Sequence, residues 1–333
     1  MSLSIIIVNY KTAQLIADCL DSIFTFNPAV FEIIIVDNNS NDEIETSLNN
    51  KYSNIKFIQM GYNAGFARAN NAGISIAQSE HILLLNPDTI IQHNAINNCL
   101  DKFAGSDYVA CGVQLLNPDG TAQISGNYAM KGGLNYLLPL PYMGWFLKSI
   151  ATVFGVKKPN VPNATGLVEV DWINGAFLMV KKPAIEKAGL LDEDFFLYAE
   201  EAEWCSRLKK VGKLCIYGDE HVIHLQGESA GNAFNSPGKG YSNLFDMKGR
   251  QIMVSTFVRI RKEFGVAWFL FNLFFYLITI PIFLIGCILS GLLFRKADQY
   301  SFGHWIGFCK NVFVIIKHSI KIIGNRPYFY KLL

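Results

Sequence analysis

Carboxylates and amides that directly follow short apolar runs are the residues in this sequence best suited to chemistry. Asp37 follows one such run and precedes Asn38 and Ser40, so a carboxylate, an amide and a hydroxyl stand close together. The carboxylate can accept hydrogen bonds from a nucleobase N–H or a ribose hydroxyl. Asn9 and Tyr10 follow the first apolar run in the same way. A turn that caps a helix would use the same residue types and is the structural alternative.

A glycine-rich segment between Gly61 and Gly73 is a candidate phosphate site. Glycines let a backbone approach a ligand closely, and the helix that should follow would offer its N-terminal N–H groups to an anion. The segment does not fit the G-x-G-x-x-G dinucleotide fingerprint, which disfavours a dehydrogenase.

Asp88 is a candidate metal ligand, because an apolar run followed by Asn86-Pro87 delivers a single carboxylate. A divalent cation that bridges a substrate diphosphate needs only one or two such carboxylates from the protein. The same Asn-Pro-Asp tripeptide recurs at 117–119, where the following Gly120 predicts a β-turn instead.

Six carboxylates crowd the segment 192–203 and would repel one another unless some are paired, capped or kept for a proton or cation. Glu203 and Arg207 lie four residues apart and predict a helix salt bridge. Glu200 and Glu201 project in different directions from the start of that helix, so one of them can face a cleft. A solvated acidic face is the structural alternative.

The elements that would position these side chains are apolar, β-branched runs that alternate with helix-like stretches. The alternation predicts a largely parallel sheet covered by helices on both faces. Ligands bind beyond the carboxyl ends of the strands in such sheets, where Asn9, Asp37 and Asp88 are expected. The predicted runs are 3–8, 32–36, 55–59, 81–85 and 108–113.

An insertion at 127–162 interrupts this alternation. It is rich in Leu, Tyr, Trp, Pro and Gly and has no acidic residue. A lid over an acceptor and an irregular insertion that packs on the core are equally good interpretations.

The C-terminal region predicts contact with a membrane. Residues 264–294 contain no Asp, Glu, Lys or Arg, Pro281 divides them, and basic residues flank both ends. Positive charge at both ends favours a re-entrant or interfacial hairpin over a single span, which is the alternative. Lys310, Lys317 and Lys321 then lie on one stripe of a predicted amphipathic helix at 305–323, as in helices that lie on anionic lipid.

The composition agrees with a membrane-associated enzyme. Hydrophobic residues make up 51% of the chain and charged residues 17%, which excludes a disordered protein. Residues 295–333 hold seven Lys or Arg against one Asp, whereas the chain before them has more acidic than basic residues, so nucleic acid is not an expected partner of the main body. Seven cysteines without a C-x-x-C pair favour a reducing cytoplasm over a disulfide framework, and the six-residue apolar run at the start does not predict a signal peptide.

Three blocks together resemble the family 2 glycosyltransferases with the GT-A fold, in their bacterial rhamnosyltransferase-like branch. They are G-Y-N-A-G-F-A-R-A-N-N-A-G, L-L-N-P-D, and the acidic block that runs from G-L-L-D-E-D to W-C-S-R-L. The resemblance covers about residues 2–265. It implies an α/β GT-A domain at 1–263, with a mixed, mostly parallel sheet. The hydrophobic hairpin or span at 264–294 and the basic amphipathic tail at 295–333, which their composition predicts, follow this domain.

The resemblance also implies roles for single residues. Asp88 would occupy the last position of the metal-binding D-x-D motif and hold Mg²⁺ or Mn²⁺, and Glu201 would be the general base. His224 would contact the donor diphosphate or the metal, although a buried, hydrogen-bonded histidine is the structural alternative. The expected donor-binding residues are Asn9, Tyr10, Asp37, Asn38, Ser40, Asn63, Gly65, Arg68, Asn86 and His224. The expected acceptor-binding residues are Trp172, Asn174, Gly175, Ala176 and Glu200.

Two positions depart from the family pattern: Asn86 replaces the first acid of D-x-D, and Glu201 stands where the family more often has Asp. The implied activity is inverting transfer from a nucleotide sugar, dTDP-L-rhamnose before UDP-sugars, to a polyprenyl-diphosphate-linked saccharide. The expected location is the cytoplasmic face of the bacterial inner membrane, in O-antigen or capsule assembly. The alternatives are a polyprenyl-phosphate sugar synthase and a non-catalytic membrane-bound scaffold.

Overall fold

The structure, a computed structural model, describes residues 2–26, 31–49, 51–52, 55–130, 132–225, 243–293 and 300–332. The chain forms two compact units. Unit 1 comprises Met1–Met130, Pro159–Phe196 and Glu200–Ala233, and unit 2 comprises Lys131–Lys158, Leu197–Ala199 and Phe234–Leu333.

Unit 1 is an α/β sandwich built on a nine-stranded sheet. The strand order is β3-β2-β1-β4-β11-β6-β12-β5, and β9 pairs with β12; β10, β7 and β8 form a small second sheet. The strands are β1 (Leu3–Asn9), β2 (Glu32–Asp37), β3 (Ile55–Gln59), β4 (His81–Leu85), β5 (Thr89–Ile91), β6 (Ala110–Leu116), β7 (Gly126–Asn127), β8 (Asn160–Val161), β9 (Leu167–Val170), β10 (Trp172–Ile173), β11 (Phe177–Lys181) and β12 (Leu214–His224). The helices of this unit are α1 (Ala13–Phe26), α2 (Ile44–Asn49), α3 (Gly65–Ile76), α4 (Ala95–Ala104), α6 (Lys182–Ala188) and α7 (Glu200–Leu208).

The predicted mixed, mostly parallel sheet is confirmed. β1 runs parallel to β2 and β4, and β2 runs parallel to β3, whereas β11 is antiparallel to β4 and β6. Apolar residues on both faces of the strands explain the sandwich. Ile5 and Ile7 pack into one core, and Ile6 packs into the other, because successive side chains of a strand point to opposite faces. Full burial of each such side chain contributes about 1.5–3 kcal/mol.

Unit 2 contains a 3₁₀ helix (Gly133–Leu137) and the helices α5 (Met143–Val153), α8 (Met247–Leu293) and α9 (Phe302–Gly324). Helix α8 is broken at Gly265, whose φ of 84° and ψ of −175° are accessible almost only to glycine. Among the described residues, one helix, Met247–Leu289, is long and apolar enough to cross a membrane by length and composition.

Helix α8 folds back on itself at this break, and we name its two parts the first arm (247–264) and the second arm (266–293). The ring of Phe257 lies 5.3 Å from that of Phe269 and 5.0 Å from that of Tyr276. The second of these pairs is nineteen residues apart in the sequence, a separation that a straight helix would stretch to about 28 Å. The arms therefore lie side by side.

The predicted turn of the apolar segment at Pro281 is wrong, because the helix continues through Pro281 and reverses at Gly265 instead. Proline inside a helix removes one hydrogen bond and kinks the helix, whereas a residue with positive φ ends the helical path. The first arm, which lies before the predicted domain boundary at residue 263, belongs to unit 2.

The amphipathic helix predicted at 305–323 is confirmed as α9. It packs on the second arm, with the Phe308 ring 5.9 Å from the Phe283 ring, and on the first arm, where Arg261 Nε donates to Ile323 O at 2.9 Å. Lys310, Lys317 and Lys321 are exposed, as are the apolar side chains of Ile306, Phe313, Ile316 and Ile320. The basic residues Arg295 and Lys296, which the sequence places before this helix, lie outside the described residues.

Candidate active site

The predicted site residues of the strand ends lie along one edge of the large sheet. Asn9, the last residue of β1, is paired in register with Asp37, the last residue of β2. β4 ends at Leu85, which is paired with Phe177, the first residue of β11. The segments that follow β1, β2 and β4 and the segment that precedes β11 therefore share this edge.

Asp37 is buried and held by three hydrogen-bond donors. Its Oδ1 accepts from Asn9 Nδ2 at 2.7 Å, and its Oδ2 accepts from Ser40 N at 3.1 Å and from Gln59 Nε2 at 2.7 Å. A carboxylate has about four acceptor positions, so its orientation is fixed and about one position is left for a ligand. Asn9 Nδ2 also donates to Asp42 at 3.0 Å, so Asn9 holds the carboxylates of this edge in place.

A cleft beside Asp37 is lined by further carboxylates, those of Asp42, Glu43 and Glu45. A wall of carboxylates attracts N–H and O–H donors and repels phosphate. Asn41 and Glu43 in this loop have φ values of 55° and 51°, which cost energy in residues with a side chain and often mark ligand sites. The cleft is therefore suited to the base or sugar of a nucleoside.

The glycine-rich turn before α3 is built for close packing. Gly65 has a φ of 72°, and a Cβ there would clash with the carbonyl oxygen of Phe196. Gly65 N donates to Asn63 Oδ1 at 3.1 Å, and Phe66 N donates to Phe196 O at 2.8 Å. The predicted phosphate site at this helix start is thus partly filled by the protein, because these N–H groups already have acceptors. Asn38 also holds the turn, with Nδ2 3.0 Å from Gly65 O.

Three further residues expected to bind the donor, Arg68, Tyr10 and Ser40, make contacts within the protein. Arg68 Nε donates to Glu193 O at 3.2 Å, which ties α3 to the acidic segment. The Tyr10 ring is half-buried and lies 5.5 Å from Lys11 Nζ. Lys11 N donates to the hydroxyl oxygen of Ser40 at 3.0 Å, so Ser40 holds the segment after β1 as well as Asp37.

Asp88 and His224, the two expected metal ligands, are brought together by the pairing of β5 with β12. His224 is in register with Thr89, and Leu225 N donates to Asp88 O at 2.8 Å. Both side chains are buried, and His224 Nε2 lies 3.5 Å from Asp88 Oδ1. The structure thus places a carboxylate oxygen and an imidazole nitrogen next to each other.

Gln123 determines which nitrogen of His224 carries the proton. Its Nε2 donates to His224 O at 2.7 Å and to Asn117 Oδ1 at 2.8 Å, so its Oε1 faces His224 Nδ1 at 2.9 Å. This network places a proton on Nδ1, so Nε2 is the ring nitrogen next to the Asp88 carboxylate. A divalent cation could take the carboxylate oxygen and an unprotonated Nε2 as ligands.

The residues of this pair fit Mg²⁺ or Mn²⁺ with an incomplete protein shell. Oxygen and imidazole nitrogen are donors that Mn²⁺ accepts, and Mg²⁺ commonly takes one or two carboxylates together with substrate phosphates. Within the described ranges, no three His, Cys, Asp or Glu side chains cluster as a complete cage. Oxygens of a substrate would have to complete the coordination. The Asn86 side chain adds no charge to this pair.

Glu201 lies at the start of α7, against the loop that precedes β11. A Cβ at Gly175 would lie 3.4 Å from Glu201 Cγ, so the glycine leaves room for this side chain. In the next residue, Ala176 O accepts from Asn86 N at 3.0 Å, and Ala176 N donates to Asn174 Oδ1 at 3.0 Å. The loop of Asp88 and the start of α7 therefore contact the same short segment, 174–176.

Of the other residues in the acidic block, Glu203 is paired with Arg207, and Glu200 is buried like Glu201. The predicted Glu203 to Arg207 salt bridge is confirmed, with two hydrogen bonds of 2.7 and 2.8 Å. Glu200 and Glu201 are both nine-tenths buried or more, so this pair is not the solvated acidic face of the structural alternative. Tyr198 and Ala199, which precede them, have φ values of 72° and 69°, two consecutive strained residues at the helix start.

Trp172, an expected acceptor-binding residue, lies on the small second sheet. It is half-buried and in register with Asn127, and Asn127 is in register with Asn160. The Trp172 indole N–H and the amide oxygens of the two asparagines are buried and have no hydrogen-bond partner in the part of the chain that the structure describes.

Sequence analysis did not identify Gln123, Gln59 or Asp42. Gln59 ends β3 in register with Asp37, so its place at a strand end was the available signal. Gln123 lies outside the apolar alternation and had no such signal. Asn117, in the predicted β-turn, turns out to orient Gln123, and the turn itself is confirmed by the hydrogen bond from Gly120 N to Asn117 O at 2.9 Å.

Cys19, near the metal pair, is not a nucleophile. Its Sγ lies 3.5 Å from Thr89 Oγ1, and burial raises the pKa of the thiol to about 12. The thiol is therefore protonated at neutral pH, and thiolate chemistry is excluded at this position.

Comparison with known proteins was made on sequence and on structure. Residues 4–165 match the family described as Glycosyl transferase family 2. The low-salt glycan biosynthesis hexosyltransferase Agl10 of Haloferax volcanii is 30% identical over 62% of this chain, and the chain spans 62% of its length. The N-acetylglucosaminyl-diphospho-decaprenol L-rhamnosyltransferase of Mycobacterium tuberculosis is 24% identical over 69% of this chain and 78% of its own length.

Two further proteins are similar. The rhamnosyltransferase WbbL of Escherichia coli is 25% identical over 57% of this chain and 72% of its own length. The crystal structure of GalNAc-T7 with UDP, GalNAc and Mn²⁺ matches with a TM-score of 0.50 at 12% identity, over 67% of this chain and 43% of that one. At this identity the likeness concerns the fold, which is the GT-A fold. Residues 4–165 are thus similar to glycosyl transferase family 2, and two of the relatives are named rhamnosyltransferases.

Proposed function

We propose that this protein is an inverting, metal-dependent glycosyltransferase that transfers L-rhamnose from dTDP-L-rhamnose to a lipid-linked saccharide. The observation that carries the proposal is that two groups contact the same segment, 174–176. One is the loop that contains Asp88, whose carboxylate faces His224, and the other is Glu201. A metal-bound diphosphate and a base for the acceptor are the two groups that such a transfer requires.

Asp37 and the cleft beside it would bind the nucleoside of the donor. The three donors to Asp37 keep its carboxylate ready to accept one hydrogen bond from the base or the ribose. The support for rhamnose is the naming of two relatives as rhamnosyltransferases. UDP-sugars are the next candidates, since none of the residues around Asp37 distinguishes thymine from uracil.

Asp88 and His224 would hold Mg²⁺ or Mn²⁺ against the donor diphosphate. The bound cation would neutralise negative charge on the departing diphosphate. Gln123 keeps the lone pair of His224 Nε2 directed at the cation position, and Asn86 keeps the loop attached to Ala176.

Glu201 would remove the proton from the acceptor hydroxyl. The hydroxyl oxygen forms a bond to the anomeric carbon while the bond from that carbon to the diphosphate oxygen breaks, and the electron pair leaves with the diphosphate. Attack from the face opposite the leaving group inverts the anomeric configuration. General-base assistance of this kind contributes about 10²- to 10⁴-fold in rate.

The acceptor would be a sugar hydroxyl, because a phosphate acceptor would not need a carboxylate as general base. A phosphate oxygen is already deprotonated at neutral pH, and Glu201 beside it would repel it. This argues against a polyprenyl-phosphate sugar synthase.

Unit 2 would attach the enzyme to the cytoplasmic face of the inner membrane. The second arm and α9 expose apolar side chains, and the lysine stripe of α9 suits anionic headgroups. The first arm contains a buried Arg259 to Glu263 ion pair with an N–O distance of 3.0 Å. If the second arm crossed the hydrocarbon, this charged arm packed on it would have to enter too, which is costly. We therefore propose attachment in the plane of the membrane.

The test is a transfer assay with the purified full-length chain. It is incubated with dTDP-L-rhamnose or UDP-sugars, a panel of polyprenyl-diphosphate saccharides, and Mg²⁺, Mn²⁺ or chelator. The proposal predicts metal-dependent release of nucleoside diphosphate, fastest with dTDP-L-rhamnose, and a product of inverted configuration. Transfer to polyprenyl phosphate alone, or turnover that chelator does not reduce, would contradict it.

A further inference from the structure

Within the described part of unit 2, the insertion carries a cluster of exposed apolar side chains. Along α5 and the residues just after it, Trp145 is 73% exposed, Phe146 57%, Val153 83% and Phe154 79%. Large apolar side chains scattered singly on a surface are ordinary, but a contiguous group of this size marks an interaction surface. The sequence predicted either a lid or a packed insertion for this segment, and a segment packed on a core would not expose these side chains.

The start of α5 packs against other residues of unit 2, whereas its C-terminal end is exposed. The ring of Tyr142, just before the helix, lies 6.0 Å from the Phe283 ring of the second arm, and a Cβ at Gly286 would clash with it. A Cβ at Gly144 would clash with Leu138 O. The exposed residues begin one residue later and continue through residue 158. The exposed apolar residues of α5 therefore follow a helix start that is packed within unit 2.

The charged residues around this apolar cluster are all basic, which favours an anionic partner. Lys148, Lys157 and Lys158 are exposed, and the insertion from 127 to 162 contains no acidic residue. Trp and Phe beside Lys is the composition of segments that enter the headgroup region of anionic membranes. The same unit also exposes Trp268 and Phe274 on the second arm, which is already proposed to contact lipid.

We propose that residues 143–158 form a wedge that inserts into an anionic phospholipid surface and adds a second attachment to that of the second arm and α9. This inference rests on the membrane attachment proposed for unit 2. The wedge places Trp145 and Phe154 among the acyl chains and its three lysines at the headgroups. It replaces the interpretation of this segment as a lid over the acceptor.

The test uses the full-length chain and phosphatidylcholine vesicles with or without phosphatidylglycerol. Brominated acyl chains quench tryptophan fluorescence at depth, and the difference between the parent and Trp145→Phe isolates the signal of Trp145. We expect Trp145 to be quenched in bound protein. We expect the triple variant Phe146→Ser, Val153→Ser, Phe154→Ser to bind phosphatidylglycerol vesicles at least about tenfold more weakly, at about a factor of four per lost methylene group. Replacing the three lysines by Gln should weaken binding about fivefold per lysine, only where phosphatidylglycerol is present.

The matched control is Leu167→Ser, which removes a half-exposed apolar side chain from unit 1 and should leave vesicle binding unchanged. Bound protein with unquenched Trp145 would overturn the wedge and leave the attachment by the other helices intact. A chain that binds neither kind of vesicle would overturn the wedge and the proposed membrane attachment together, while the transfer assay still tests the proposed chemistry. A parent dimer that the triple serine variant converts to monomer without lipid would assign the surface to a second copy of the chain and overturn the wedge.

Discussion

The sequence contains the same tripeptide twice, and the two aspartates show how position decides what a carboxylate can do. Asp88 is buried and faces His224, because the strand after it pairs with the strand that ends at His224. Asp119 lies in an exposed turn, where hydrogen bonds from Thr121 lower the pKa of its carboxyl. The chemistry thus depends on the elements around the tripeptide.

Asp88→Asn should raise the Mn²⁺ concentration needed for half-maximal turnover by at least about tenfold, since losing a charged partner costs about 1.5–3 kcal/mol. The measurement is a titration of turnover with Mn²⁺. Asp119→Asn makes the same chemical change in the exposed turn and should titrate like the parent. Equal titrations for all three proteins would remove Asp88 as a metal ligand.

Gln123→Leu should weaken Mn²⁺ binding by about 10- to 100-fold, because the residues that orient a metal-binding histidine typically have effects of this size. The leucine removes the acceptor of His224 Nδ1 and frees the ring to turn. The readout is the Mn²⁺ dependence of turnover at saturating donor. A loss of turnover that excess Mn²⁺ does not restore would instead indicate a purely structural role.

At the scale of elements, much of the fold followed from the sequence, and the exceptions have physical causes. The parallel strands β1 to β4 carry the apolar, β-branched runs of a doubly covered sheet, so their pattern was sufficient. The pairing of β5 with β12 joins residues more than 130 positions apart, and no local pattern encodes that contact. This pairing creates the Asp88 and His224 pair, which is why only the family resemblance connected these residues.

The reversal of α8 shows why Pro281 was a misleading signal. The charge pattern favours a hairpin within the apolar segment 264–294, and Pro281 is its visible interruption. The helix continues through Pro281 because proline removes only one backbone hydrogen bond. A φ of 84° with a ψ of −175° is accessible almost only to glycine, so the turn lies at Gly265.

Gly265→Ala should destabilise unit 2 by about 1–3 kcal/mol, because alanine is strained in this backbone conformation although no atom lies within 4 Å of its Cβ. The measurement is the thermal midpoint of the full-length chain in detergent. Gly324→Ala is the matched control in the same unit, since its Cβ also meets open space and its φ is ordinary. If Pro281→Ala lowered the midpoint more than Gly265→Ala, the turn would have been assigned to the wrong residue.

At the scale of the whole molecule, the proposed catalysis and the proposed membrane attachment belong to different units. Unit 1 holds every residue proposed for donor, metal and base. Unit 2 holds the apolar arm, the lysine stripe and the wedge. The small net charge of +2 hides this division, because the chain after residue 294 is basic and the remainder is not. Attraction to anionic lipid should therefore act through unit 2 and weaken as salt screens it.

The central claim is that Glu201 takes the acceptor proton and has no part in holding the donor. The most direct measurement compares sugar transfer and nucleoside diphosphate binding, with Mn²⁺ present, in Glu201→Gln and in its neighbour Glu200→Gln. We expect Glu201→Gln to transfer sugar about 10²- to 10⁴-fold more slowly than the parent while its affinity for the nucleoside diphosphate is unchanged, and Glu200→Gln to lose much less turnover. Parent-like transfer by Glu201→Gln would show that Glu201 is not the base.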